Sequence, residues 1–570
     1  MTPPASDDER SDRLARASSA VGTGILLSRV AGLLREKLLA YHLGTGLGAE
    51  AFRAALRIPN LLQNLLGDGV LSGAFVPTYA RMVRDGREED AGRLAGAVAS
   101  LLVLVTGLLV VVGVVFAGPI TRVLTPGFPV GSAKAELTVT LVRIITPSLG
   151  FLVLSAWSLG VLNAHRRFFR AYVAPVLWNA TIIVFLSVAA TLGGTELDLA
   201  RAVALGALVG AVLQFLSQLP AVLRSVPTLR MRLGRSVPGL REVVRASGGV
   251  IAGRGIVQLS AYLDLVVASL LAAGAVAALG YAQVLYLLPV SLFGMSVAAA
   301  ALPDVALVRP HERLQLAAEV ERGMARVATF VVPTIAIYLV LGEQVVTLLF
   351  GGGAFGPAAT RQVAIVLAAY SLGLLATTQS RLLQSTLYGL DDTFTPARIA
   401  AVRVGVATVA GVALMLVFDA YRWGDDGIVR VADMGLASSA ARASLESLHR
   451  LGAVGLALGA SLGAWTEWIL LRRAVARRAT TTTPRSRALR PGFASIAIVV
   501  GVPLGHELRS ALTILDGAPV PLGAAITLLP ALSLFAVAAI ALDLADLPLV
   551  TATRQWVTDH GFRTRPRRTR

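Results

Sequence analysis

Residues 28–77 read SRVAGLLREKLLAYHLGTGLGAEAFRAALRIPNLLQNLLGDGVLSGAFVP. The stretch has the apolar character of membrane-spanning sequence. Eight charged side chains nevertheless sit inside it: Arg29, Arg35, Glu36, Lys37, Glu50, Arg53, Arg57 and Asp68. A charge at the bilayer centre costs roughly 2.5–3.5 kcal/mol on insertion scales, so a chain keeps it where it faces a water-filled cavity or a charged substrate. Lys37 and Arg53 have a second option, to snorkel to the interface from helix ends. Arg29 and Arg57 have less of it, because apolar residues flank them on both sides.

The surrounding composition places those charges in a membrane. The chain has 570 residues, 55% apolar and 15% charged, with a strongly positive mean hydropathy. That excludes an ordinary soluble multidomain enzyme and points to an all-α polytopic membrane protein. Residues 94–121, 362–380 and 517–542 carry no Asp, Glu, Lys or Arg. Each is near or above the roughly 18–20 residues a helix needs to cross hydrocarbon. The net charge of +18 belongs to cytoplasmic loops and anionic lipid head groups rather than to nucleic acid. With no cysteine, disulfides, thiolate catalysis and cysteine-ligated metal are excluded. The first 19 residues are polar and mixed in charge, without the basic and apolar regions of a cleavable signal, so insertion is expected to rely on the first span.

Apolar runs predict fourteen spans, at 20–43, 49–80, 94–121, 137–163, 171–193, 201–223, 243–273, 276–306, 324–350, 360–389, 396–418, 450–471, 491–510 and 518–543. The second and eighth are long and contain Pro59 and Pro289, which predicts kinks or breaks. Arginines recur in alternate loops: Arg81, Arg84, Arg87 and Arg93; then Arg166, Arg167 and Arg170; then a run from Arg224 to Arg245; then Arg309 to Arg326; then Arg472 to Arg490; the loop after the tenth span, with Asp391 and Asp392, is the exception. This alternation fits the positive-inside rule with both termini cytoplasmic. The expected organisation is a polar N-terminus (1–19), an N-lobe of six helices (20–225) and a basic linker (226–242). A C-lobe of six helices (243–471) follows, with an external loop at 419–449 whose segment ASSAARASLESLHR could form a short amphipathic helix. A basic loop (472–490), a final helix pair (491–543) and a basic tail (544–570) complete the chain.

The two lobes repeat at an offset of about 225 residues: LNAHRRFFRAYVAP at 162 lies opposite LYGLDDTFTPARIA at 387, and GPITRVLTPGF at 118 opposite GEQVVTLLFGGGAF at 342. SGAFVPTYARM at 72 and Arg29 fall opposite AAALPDVALV at 299 and Arg254. Six spans separate the copies, so both cross in the same direction. That is a parallel repeat, two pseudo-symmetric lobes about an axis along the membrane normal.

Arginine in a span suits a pyrophosphate, because its planar fork binds phosphate oxygens bidentately. Glu36, directly after Arg35, would either hold that arginine in a fixed pose or bind a cation itself. Arg254 and Asp264 share the seventh span but stand ten residues apart; about 15 Å of helix separates them, so each needs its own partner. Asp391 and Asp392, ahead of Thr395-Pro396, read as a turn with helix capping. There is no catalytic constellation, so no enzyme is expected. Histidines lack metal-ligand spacing and no Walker-type motif offers an ATP site. The many glycines fit close helix packing and hinges.

SRVAGLLRE, LG-x-G near 43–46, and PNLLQNLLGDGVLSGAFVP together resemble the most recognisable run of the MurJ (MviN) family of lipid II flippases. The resemblance extends to fourteen spans, a two-lobed repeat and internal termini. It implies the multidrug/oligosaccharidyl-lipid/polysaccharide exporter fold, the bacterial cytoplasmic (inner) membrane, and a role in peptidoglycan biosynthesis and cell shape. The implied substrate is lipid II, the undecaprenyl-pyrophosphate-linked disaccharide-pentapeptide. By position, Arg29 and Arg35 match the family's cavity arginines and Glu36 the acid beside the second. Glu50 and Asp68 match the acids of the second span, and Asp264 resembles a sodium-site aspartate. The family usually has arginine where Gln63 and Val284 stand; Arg57 and Arg254 would supply the missing charge.

The resulting expectation is a flippase working by alternating access, with Arg29, Arg35, Glu36, Glu50, Arg57, Asp68 and Arg254 as the substrate site. No cofactor or nucleotide is expected, and membrane potential or a sodium ion at Asp264 would supply the drive. The last helix pair would form a groove for the polyprenyl tail. Partners would be lipid II, membrane lipids and cell-wall synthesis proteins. The alternatives are a flippase for another polyprenyl-pyrophosphate-linked glycan, a cation-coupled drug exporter, which predicts an acidic aromatic cavity, and a non-transporting scaffold.

Overall fold

A computed structural model describes residues 7–231, 237–294, 313–390, 392–424, 427–430, 450–478, 495, 498 and 520–541. Within several helices, including parts of 249–261, it describes the backbone alone. Over its described residues each predicted span coincides with a helical run; 276–306 is described only as far as 294, and 491–510 only at 495 and 498. The tail 544–570 and most of the loop 472–490 lie outside the described residues. Among the described residues, seven helices are long and apolar enough to cross a membrane by themselves, and nine if each of two bent pairs counts as one span. The charged helices at Asp7–Leu43 and Leu240–Ser269 are not among these.

The first half runs α1 (Asp7–Leu43), α2 (Leu47–Leu62), a π-helical segment (Gln63–Phe75), α3 (Val76–Arg84), α4 (Glu88–Val115), α5 (Ala117–Leu124), α6 (Ala133–Ile145), α7 (Ser148–Ala164), α8 (Phe168–Thr191) and α9 (Glu196–Ser225). The second runs α10 (Leu240–Ser269), α11 (Ala275–Pro289), a short π segment (Val290–Gly294), α12 (Arg313–Val340), α13 (Gly342–Phe350), α14 (Pro357–Ser371), α15 (Leu374–Gly389), α16 (Phe394–Phe418), strands β1 (Tyr421–Gly424) and β2 (Gly427–Arg430), α17 (Gly452–Ala476) and finally α18 (Val520–Ala541). The order repeats with the expected offset. α4 starts at 88 and α12 at 313; α5 starts at 117 and α13 at 342. Even the bends repeat, at 41° between α6 and α7 and 45° between α14 and α15.

Sequence explains most of these breaks. Pro147 interrupts α6–α7 and Gly373 interrupts α14–α15. Both π segments follow a proline: Pro59 precedes the first by four residues and Pro289 the second directly. Proline removes an i→i−4 donor, and a shift to i→i−5 pairing is one way to absorb the loss. α1 begins at Asp7 rather than near residue 20. Its polar leader, DDERSDRLARASS, mixes good helix formers with acids at the N-terminal end, where the helix dipole favours them. The sequence reading missed the hairpin, in which Tyr421 faces Arg430 and Gly424 faces Gly427. The proposed amphipathic helix lies outside the described residues except at Arg450.

The described chain forms two compact units. The first comprises the described residues up to Ala277 with Gly353–Phe355; the second holds the other described residues. α10, counted by sequence with the second half, packs in the first unit against the long π segment and α2. The core of the first unit is apolar and centred on Leu71, Phe75, Tyr79, Leu94, Leu149, Val153 and Trp157. In the second unit, Leu316, Val320, Leu382, Leu383, Leu387 and Leu471 close one cluster. α18 docks Leu528 and Ala531 near Leu341 in another. Small residues let the long antiparallel pairs close up. On α17, Gly455, Gly459 and Gly463 form a seam against α16; a Cβ on Gly459 would stand 2.2 Å from the Cα of Gly411. On α9, Gly206 and Gly210 play the same part against Ile182 and Trp178 of α8.

Candidate functional site

The first unit gathers part of the expected cationic set. Arg35 and Glu36 are adjacent on α1, and Arg53 reaches them from α2. Arg35 Nη2 donates to Glu36 Oε1 at 2.6 Å, and Arg53 Nη2 donates to Glu36 Oε2 at 2.8 Å. The carboxylate is thus shared between two guanidiniums, with the Glu36 residue only 6% exposed. Arg35 Nη1 also donates to Asn179 Oδ1 at 3.0 Å, and its guanidinium lies 4.8 Å from the centre of the Trp178 ring. α8 presents both residues one turn beyond Pro175, whose carbonyl accepts from Asn179 Nδ2 at 3.0 Å. That bond fixes the amide so that its oxygen faces Arg35. Glu36 therefore holds Arg35 in a fixed pose, and Arg53 turns to the same carboxylate. Arg35 Nε is buried without an acceptor.

Other expected residues fall elsewhere. Glu50 is 1% exposed. It forms an ion pair with Lys134 of α6 and accepts from the Val276 backbone N–H at 3.0 Å. Lys134 also stands 4.2 Å from the centre of the Phe128 ring. Glu50 thus ties α2, α6 and the start of α11 together, and its two oxygens already have partners. Arg57 is half-buried on α2, where its carbonyl accepts from the Tyr262 hydroxyl at 3.2 Å. Arg29 is exposed on α1. Asp264 is exposed on α10. The side chains of Asp68 and Arg254 lie outside the described residues, although the backbone places them in the long π segment and in α10. Among the described residues, no three His, Asp or Glu side chains gather as a metal site would require.

The second unit holds a buried acid that the sequence reading did not single out. Glu467 of α17, 1% exposed, accepts from Arg403 of α16 at 2.7 Å and from Gln384 of α15 at 2.8 Å. Beside it, Trp468 Nε1 donates to Gln379 Oε1 at 2.8 Å. A lone acid in AWTEWILL and the two arginines of the preceding span, Arg398 and Arg403, were the available signal. Of the aspartate pair near residue 391, Asp392 forms the expected turn: it accepts from the Thr395 N–H at 2.9 Å and pairs with Arg478. Asp391 lies outside the described residues. Thr395's hydroxyl and amide, with Arg478 behind them, hold the Asp392 carboxyl below the usual aspartate range.

Residues 39–424 match the profile of the family described as "Lipid II flippase MurJ". A probable lipid II flippase MurJ of Rhizobium tropici is 31% identical over 399 residues, 69% of this chain and 74% of that protein. Its counterpart in Vibrio cholerae is 30% identical over 438 residues, 74% of this chain and 81% of the other. Among solved structures, a lipid II flippase MurJ in an inward closed conformation shares the fold with a TM-score of 0.69. Its identity is 21%, and the match covers 91% of this chain and 97% of that one. An inward-facing multidrug resistance MATE family transporter follows the same fold with a TM-score of 0.60 at 15% identity, covering 80% and 96%.

Proposed function

The chain belongs to the MurJ family of lipid II flippases, and we propose that Arg35, locked by Glu36, is the centre of its pyrophosphate site. Arg29, Arg57 and Arg254 complete that site. Lipid II is the substrate, and the two units alternate to expose it first to one leaflet and then to the other. The observation that carries this reading is the Arg35–Glu36–Arg53 cluster: two guanidiniums to one carboxylate, with a buried Arg35 N–H that has no acceptor.

The chemistry follows from that imbalance. One carboxylate neutralises one guanidinium, so the cluster keeps a net positive charge in a low-dielectric setting. Because Asn179 and Trp178 restrict the Arg35 guanidinium, little rotamer entropy is lost when a phosphate oxygen arrives. We read Arg53 as the counter-charge that holds Glu36, and Glu50 as an architectural tie. Asp264 stands exposed on α10, and the proposed drive is the membrane potential or a sodium ion bound at that carboxylate. Moving one elementary charge through 100 mV is worth about 2.3 kcal/mol. An inside-negative membrane therefore favours outward movement of an anionic substrate.

The test is lipid II exposed on the outer leaflet of cells that depend on each variant. Arg29→Ala and Arg35→Ala should lower flipping about ten- to a hundredfold at equal expression, the worth of a lost charge-assisted contact. Arg57→Ala should be nearly as damaging if it replaces the arginine absent at Gln63. Wild-type flipping by both Arg29→Ala and Arg35→Ala would remove the basis for the site.

A further inference from the structure

α5 and α6 enclose a groove of about 390 Å³ in the first unit, far in sequence from the cluster at Glu36. Arg122 of α5 and Arg143 of α6 both line it, and neither has an ion pair or hydrogen bond among the described residues. Glu136 shares the wall without pairing to either, so the lining carries two guanidiniums and one carboxylate. The hydroxyls of Thr121 and Thr140 donate back to their own helices, to the carbonyls of Ala117 and Glu136. They therefore offer no donor to a ligand, and the two arginines are the groove's anion-binding groups. Arg143 stands ten residues into α6, inside a predicted span, where an exposed unpaired guanidinium is expensive unless it meets water or an anion.

The rim is apolar. Val130 and Val123 are 79% and 72% exposed. The helix that leads into α5 carries exposed Leu104, Leu108, Val111 and Val115, at the spacing of one helical face. That stripe spans about 17 Å along the axis and ends at exposed Phe116, directly before the groove. A charged pocket at the end of an apolar track matches a molecule with an anionic head and a hydrocarbon tail. A soluble anion would use the arginines and ignore the track.

We propose that the α5–α6 groove binds the phosphodiester head group of an anionic bilayer lipid through Arg122 and Arg143, with an acyl chain lying along the exposed face of α4. Native mass spectrometry of the delipidated full-length protein, titrated with short-chain phosphatidylglycerol or phosphatidylcholine, tests this. One phosphatidylglycerol should be retained, and phosphatidylcholine should not replace it. The Arg122→Ala, Arg143→Ala double variant should lose that copy, with binding about tenfold weaker or more, while melting as the wild type does. Arg122→Lys with Arg143→Lys should retain part of it. Arg201→Ala, at an exposed arginine paired with Asp198 instead, should change nothing. Undiminished phosphatidylglycerol binding by the double Ala variant would overturn the proposal. So would equal retention of phosphatidylcholine, or displacement of the lipid by equimolar inorganic phosphate, which would mark a soluble-anion site.

Discussion

Two buried glutamates invite comparison. Glu36 in the first unit is shared by Arg35 and Arg53, whereas Glu467 in the second meets Arg403 and the neutral Gln384. Each carboxylate is almost fully enclosed and uses both oxygens. They differ in what is left over. The first cluster keeps one positive charge and the second keeps none. Two copies of a repeated fold thus use the same device, an acid locked between neighbouring helices, to different ends. On the proposed reading one copy presents charge to an anion, and the other only fastens α15, α16 and α17 together.

The most disruptive way to test that contrast is to strand charges. Removing one partner of a buried ion pair typically costs about 3–5 kcal/mol. Glu36→Ala leaves two guanidiniums, 15% and 16% exposed, without their acid. Arg403→Ala leaves Glu467 with an amide alone. Both should melt well below the wild type in detergent, and a wild-type melting point for either would mean that water reaches the cluster. Lys134→Ala should behave likewise, because Glu50 would keep only the Val276 N–H.

Replacing whole pairs sharpens the comparison, because apolar residues in place of a buried pair are often neutral for stability. Arg403→Leu with Glu467→Leu should leave flipping within about twofold, since hardly 0.4 kcal/mol would be at stake. Arg35→Leu with Glu36→Leu still takes the acid from Arg53, so it should melt below the wild type and, at equal folded amount, lose flipping about ten- to a hundredfold. Equal losses in the two double variants would show that both units handle the substrate charge. A smaller effect comes from Arg35→Lys, which keeps the charge but not the planar fork. It should restore about a tenth of wild-type flipping or more, and full activity would reduce the site to a point charge.

The reading of spans and breaks from sequence worked where a property is local. Apolar runs located the helices, and Pro59 and Pro289 marked two of the breaks, whereas the bend at Pro147 falls within a span read as continuous. That Gln63–Phe75 would be π-helical rather than merely kinked was not legible, because the choice between i−4 and i−5 partners is decided by what packs around the segment. The site was legible only in part. Adjacent Arg35 and Glu36 could be paired from sequence alone. Arg53 was 17 residues from Glu36, and Asn179 was 144 from Arg35, so nothing local announced them. Lys134 lies between the predicted spans 94–121 and 137–163, and only the fold brings it to Glu50.

The smallest expected effect concerns the turn at Asp392. Its carboxyl titrates below the ordinary aspartate value because Thr395 donates to the charged form. The stabilisation it provides is present at neutral pH and is lost only as pH falls below that ordinary value. Asp392→Asn should lower stability by about 0–1 kcal/mol at pH 7, and the gap to the wild type should close in strong acid. A gap that widened in acid would contradict the assignment.

The long π segment has one further consequence. A ladder in which each N–H reaches five residues back is one step from a ladder reaching four back, and the two wind the chain at different rates. Converting even part of Gln63–Phe75 would act like a screw thread, turning α3 and lengthening the rod while leaving α2 still. Position 57 lies before the thread and position 68 within it, so the same backbone adjustment would turn the second position about the helix axis relative to the first.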